Sequence, residues 1–166
     1  MPLFSPGPAS RDMRNFLELL EQRGQLRRIK APVNPDLELA AISDRVLGLG
    51  GPALLFENVI GSKIPVAINL LGTLERVVWS MGLEDPEELE DLGRKLSLLQ
   101  QPKPPKGIKE TKEFAEVFWD LFKARPDIDL TPPCHQRVLT EQDIDLYKLP
   151  LIRPWPNDAE GVITLG

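Results

Sequence analysis

From Ser10 to Gln22 the apolar positions Met13, Phe16, Leu17 and Leu20 recur at the spacing of one helix face, with polar residues between them. The pattern predicts an amphipathic helix that Ser10 or Asp12 can cap and that Gly24, suited to a left-handed backbone, can stop. Leu26 to Ala31 is predicted to be a short strand with its basic residues outward, ended by Pro32, which has no amide hydrogen to give a ladder. Asn34-Pro35-Asp36 sets a turn and a cap for a helix over Leu37 to Leu47, where Leu39, Ile42 and Val46 share a face and the glycines from Gly48 to Gly51 end it. Ala53 to Asn58 and Pro65 to Asn69 are short apolar runs separated by 59–63 (VIGSK), which has turn composition, so the two are predicted to be strands that pair or lie side by side.

Thr73 can cap a short helix through Met81, and Asp85-Pro86-Glu87-Glu88 combines a cap, a proline at the first helical position and a capping-box glutamate ahead of a helix over Pro86 to Gln100. The acidic run Glu84 to Asp91 thereby has a structural explanation at a positive helix end and does not require a metal. Residues 102–107 (PKPPKG) cannot continue a helix and are predicted to be a stiff linker. Beyond it Phe114, Val117, Phe118, Leu121 and Phe122 form the strongest apolar helix face in the chain, one expected to bury as core or interdomain packing. From Pro126 the chain is expected to be irregular, extended over Gln136 to Leu139, with a short turn capped at Thr140 to Asp143 and prolines bracketing Trp155. Val162 to Gly166 is predicted to open a strand, and its lack of a turn or a partner is expected to mark a truncation.

Composition narrows the function classes. The 166 residues, 42% hydrophobic, suffice for one ordinary domain with a core. A net charge of -5 gives no bulk attraction for nucleic acid or anionic lipid, and the basic residues Arg11, Arg14, Arg23, Arg27, Arg28 and Lys30 are best explained as solvated faces. One cysteine, Cys134, excludes an intrachain disulfide framework and fits a cytoplasmic setting. No apolar run approaches a membrane span, and the first residues lack the pattern of a secretory signal.

The search for chemistry is correspondingly sparse. No glycine-rich phosphate loop precedes a helix; Gly48, Gly50 and Gly51 follow one. Cys134 and His135, adjacent in a segment expected to be extended, would point to opposite faces and cannot pair as thiolate and imidazolium. Zinc would need three or four converging ligands, and no spacing supplies them. The residues alone predict an α/β domain with no catalytic, cofactor-binding or metal-ligating set of its own.

Three blocks in order carry a family resemblance: Arg14-Asn15-Phe16-Leu17 with Gly24; Gly51 to Asn58 (GPALLFEN); and Leu149-Pro150 to Trp155-Pro156 leading into Ile163-Thr164-Leu165-Gly166. From Met13 to Gly166 the chain resembles the N-terminal region of UbiD-type carboxy-lyases. The resemblance implies a small N-terminal α/β domain with short strands and about five helices, followed by the first elements of a split β-barrel that holds prenylated flavin mononucleotide. On that template residues 1–10 are a disordered tail, 11–101 the N-terminal domain, 102–107 the linker, and 108–166 the connecting helix and the start of the truncated barrel. The implied reaction is decarboxylation of an aromatic or unsaturated acid, including polyprenyl 4-hydroxybenzoates of quinone biosynthesis. Prenylated FMN and a metal such as manganese (Mn2+) would serve the parent enzyme, with none expected on these residues, because the family's ligands and catalytic groups follow the Ile-Thr-Leu-Gly strand. Thr164 and Gly166 are implied to lie near the substrate pocket, while Glu57, Asp145 and His135 match no family site. The implied partners are the remaining barrel and C-terminal domains, further copies in a homo-oligomer, and a flavin prenyltransferase that supplies the cofactor. The implied location is cytoplasmic, peripheral to the membrane where the substrate is polyprenylated. The alternative is a free-standing, non-catalytic domain that docks a partner through the Phe114 to Phe122 helix face.

Overall fold

The computed structural model of the chain describes residues 12–100, 108–123, 128 and 130–159. In order these form α1 (Met13–Gln22), β1 (Leu26–Ile29), α2 (Glu38–Gly48), β2 (Ala53–Phe56), β3 (Val66–Ile68), α3 (Leu74–Ser80), α4 (Pro86–Gln100) and α5 (Ile108–Lys123), followed by the 3-10 turns Pro133–Gln136 and Leu146–Lys148. The expectations placed on residues 1–10, 102–107 and 162–166 lie outside the described residues.

The sheet has the order β1-β2-β3, with β1 parallel and β3 antiparallel to the central β2. A parallel pair needs a crossover, which α2 provides, whereas the short 57–65 connection suffices for the antiparallel pair. All four residues of β2 are buried. Because side chains alternate across a strand, Leu54 and Phe56 enter one cluster with Val33, Leu39, Val59 and Val66, while Ala53 meets Phe16 and Leu20 of α1. A strand covered on both faces reads as an unbroken apolar run, as Ala53 to Phe56 does.

Local chemistry sets the element ends. The Asp12 carboxylate accepts from the Asn15 amide at 2.9 Å and starts α1. At its other end Gly24 takes φ +70°, and the Gly24 and Gln25 amides donate to the carbonyls of Glu21 and Leu20. That pair of bonds requires a left-handed residue, which glycine supplies without a Cβ clash. Thr73 and Asp85 cap α3 and α4 through bonds from the Arg76 and Glu87 amides.

Several expectations are corrected. Residues 133–136 are a 3-10 turn, so Cys134 and His135 are not in an extended segment; Pro133 presets the backbone there and the His135 amide donates to the Pro132 carbonyl. Val59, expected in a turn, is buried, because the parallel ladder resumes beyond Pro32 as a bridge between Val33 and Val59. Asp36 does not cap α2. The helix starts from Leu37 without a side-chain cap, and the Asp36 carboxylate is engaged by Arg153.

Candidate functional site

Among the described residues, those singled out for chemistry do not form a common cluster. Thr164 and Gly166 lie outside the described residues. His135 is exposed on its 3-10 turn. Glu57, just after β2, shares Arg28 of β1 with Glu21 of α1, and Asp145 caps the Leu146–Lys148 turn and pairs with Lys148. Among the described residues no group of three or more His, Cys, Asp or Glu is placed to hold a metal ion. None of their helices is long and apolar enough to cross a membrane.

The structure instead assembles a clamp that sequence reasoning missed. Residues 148–158 return to the domain and cross the start of α2. The Arg153 guanidinium donates to both Asp36 carboxylate oxygens, at 2.6 and 2.8 Å, across a sequence separation of 117. Backbone bonds flank the pair, from the Leu37 amide to the Arg153 carbonyl at 3.0 Å and from the Arg153 amide to the Pro35 carbonyl at 3.2 Å. Ile152 packs on the Phe56 cluster, and the Ser62 hydroxyl donates to the Lys148 carbonyl at 3.1 Å. Two-point guanidinium–carboxylate geometry holds both position and angle, which a single ion pair does not. The only hint in the sequence was that Arg153 sits between Pro150 and Trp155, in one of the three blocks that carry the resemblance.

Arg153 holds the Asp36 carboxyl below its usual 3.8, chiefly by hydrogen bonding. A group whose folded value is depressed contributes stability that is present above its unfolded value and lost as pH falls through the folded one. Acidification is therefore expected to release the clamp only below 3.8. The Asp36 carboxyl carbon followed by NMR through an acid titration checks this; a midpoint at or above that value counts against it.

Two other features are candidates for function. On α5, which packs against α4, Val117 is buried, yet Phe118, Trp119 and Phe122 remain 59%, 59% and 51% exposed. The apolar face expected to bury is thus only partly covered; on it Phe114 stacks on Phe118, and Phe122 stacks on Trp119, which was not part of the expected face. Inside the domain Arg76 is fully buried, donating to the Gln25 side chain and the Gly51 carbonyl, both at 3.0 Å. Burial pushes its pKa down, opposed by neighbouring Glu75.

Comparison with known proteins agrees with this geometry. Residues 17–96 match the sequence model of the 3-octaprenyl-4-hydroxybenzoate carboxy-lyase N-terminal domain. The uncharacterized protein sll0936 of Synechocystis sp. is 57% identical over 157 residues, which is 95% of this chain and 31% of that protein's length. Among solved structures, vanillic acid decarboxylase of Sedimentibacter hydroxybenzoicus in its open form is 30% identical with a TM-score of 0.63, covering 88% of this chain and 28% of the other. Its closed form is 32% identical with a TM-score of 0.60, covering 87% and 27%. The α/β domain built around β2 is therefore that of the N-terminal region of the UbiD family.

Proposed function

We propose that this chain is the N-terminal scaffold of a UbiD-type decarboxylase acting on a 4-hydroxylated aromatic acid, a polyprenyl 4-hydroxybenzoate or a related unsaturated acid. The observation that carries the reading is the fold shared with vanillic acid decarboxylase over 88% of the chain. The cofactors of such a reaction are placed outside the described residues, a reading supported by the lack of a metal-ligand cluster among them and by the glycine-rich stretch after α2, which follows a helix where a phosphate cradle precedes one. Prenylated FMN and manganese, and the groups that move the proton, are accordingly assigned to the remainder of a longer parent chain. The described domain contributes position through a rigid sheet and the clamp at Arg153. A homo-oligomeric cytoplasmic parent, loaded by a flavin prenyltransferase, completes the proposal.

The test compares the 166-residue chain with the longer parent protein proposed here. Each is mixed with prenylated FMN, manganese and 4-hydroxybenzoate, vanillate or a polyprenylated 4-hydroxybenzoate. Carbon dioxide is expected from the longer protein with one of these acids and none above background from the short chain. Turnover by the short chain, or none by the long one with any of them, overturns the reading.

The exposed rings of Phe118, Trp119 and Phe122 favour a second reading, in which α5 docks a partner. Sedimentation of the chain is then expected to show concentration-dependent self-association that a Phe118→Ser, Trp119→Ser, Phe122→Ser variant loses. A clean monomer at every concentration counts against self-association through this face.

A further inference from the structure

The backbone beneath the clamp is strained. Leu37 has φ 66° and ψ -42°, and the Glu38 amide donates to the Asp36 carbonyl at 2.8 Å, closing a three-residue turn of positive φ around Leu37. Such γ-turns are rare, and a residue with a Cβ is disfavoured in them, so the conformation persists only where its surroundings impose it. Here the surroundings are local bonds, from the Asp36 amide to the Asn34 side chain and from the Leu39 amide to the Asn34 carbonyl, together with the returning segment. The Leu37 amide is bonded to the Arg153 carbonyl, the carbonyl of Pro35 accepts from the Arg153 amide, and the intervening Asp36 side chain is gripped by the Arg153 guanidinium. Three consecutive residues, Pro35, Asp36 and Leu37, are thus tied to one residue that is distant in sequence.

Arg153 also braces its own segment. Its guanidinium donates to the Pro156 carbonyl at 3.2 Å, and the Asp158 amide donates to the Trp155 carbonyl at 3.1 Å, so the chain is bent tightly just after the clamp. The strand ladders are formed by β1, β2 and β3 alone, whereas Ile152 of the returning segment also packs on the Phe56 cluster. The clamp involves a half-exposed Asp36 and an Arg153 that is partly accessible, whereas the adjoining residues 135–149 are exposed throughout.

From this geometry we infer that Asp36, Leu37 and Arg153 form a spring-loaded latch: the 148–158 strap can undock from the folded domain, and undocking relaxes the turn at Leu37. The latch has two discrete positions. Docked, it sets the direction in which the chain leaves the domain; undocked, it frees that direction while the sheet stays intact. Strain at Leu37 opposes docking and the bidentate pair favours it, so the balance lies within reach of a local opening. The inference stands on the clamp geometry and is independent of the reaction assigned above.

Amide hydrogen exchange of the 166-residue chain, read by NMR at single residues, tests it. The Leu37 and Arg153 amides are expected to exchange together and faster than the Glu57 amide, which donates to the Ile29 carbonyl of β1. Leu37→Gly removes the strain and is expected to slow both clamp amides by about tenfold, within the range set by the energy of such a backbone conformation. Asp36→Asn, a surface change that leaves the core intact, is expected to speed both by about tenfold, as loss of a charge-assisted pair implies, with Glu57 unchanged. Clamp amides exchanging no faster than Glu57 would show that the strap opens only with the whole domain and would overturn the inference. So would a Leu37→Gly variant whose clamp amides exchange as fast as the parent's or faster.

Discussion

Replacing Arg76 by alanine is expected to destabilise the domain by about 2–4 kcal/mol, from a cavity and from orphaned acceptors together. The side chain is fully enclosed, and its guanidinium links the start of β1, through Gln25, to the start of β2, through the Gly51 carbonyl. Truncation removes the donor from both acceptors and empties the space beside Gly72, where the guanidinium lies so close that a Cβ would come within 2.6 Å of its Nη2. The charge itself is a liability, because Nε and Nη2 have no hydrogen-bond partner among the described residues. Arg76→Met separates these contributions: it keeps most of the stem volume and sheds the charge, so its loss is expected to be less than half that of alanine. Urea unfolding of the parent and both variants reads the difference. A methionine variant as unstable as the alanine one would mean that the hydrogen bonds, and not the packing, account for Arg76.

Elements whose determinants are local were legible from the sequence. The α1 helix needed only the spacing of Phe16 and Leu20 and the Asp12 cap, and α4 only Asp85 and Pro86; both formed as expected. The central strand was visible as an uninterrupted apolar run, although its parallel pairing with β1 was not, since pairing depends on how α2 crosses over. The clamp was invisible for a related reason. Asn34-Pro35-Asp36 has the composition of a helix cap, and nothing near it in sequence indicates that the Asp36 carboxylate has a partner 117 residues away. Burial of Arg76 was hidden because arginine on a short helix is ordinarily a surface residue. Family resemblance marked out the blocks holding Phe56 and Arg153, but it carried no reason for their arrangement; the contact of Ile152 with the Phe56 cluster supplies one.

That contact makes Phe56→Ala the substitution with the largest expected effect, a loss of about 3–5 kcal/mol. Phe56 is fully buried at the end of β2, opposite Val66 of β3 and Ile29 of β1, and its cluster also receives Leu39 from α2 and Ile152 from the strap. Removing the ring leaves a cavity that strands anchored on both sides cannot collapse to fill. Native domains retain only about 5–15 kcal/mol in total, so the variant would stand near the threshold of folding. Phe56→Leu fills most of the same space and is expected to cost about 1–1.5 kcal/mol. Thermal or urea unfolding ranks the two, and amide exchange of the leucine variant adds a test of connection. If Ile152 rests on the Phe56 surface as the structure shows, the Arg153 amide is expected to lose protection in Phe56→Leu ahead of the β1–β2 ladder. Equal loss at both places would mean that the cluster stabilises the sheet and the returning segment as one unit, and that the clamp has no opening of its own.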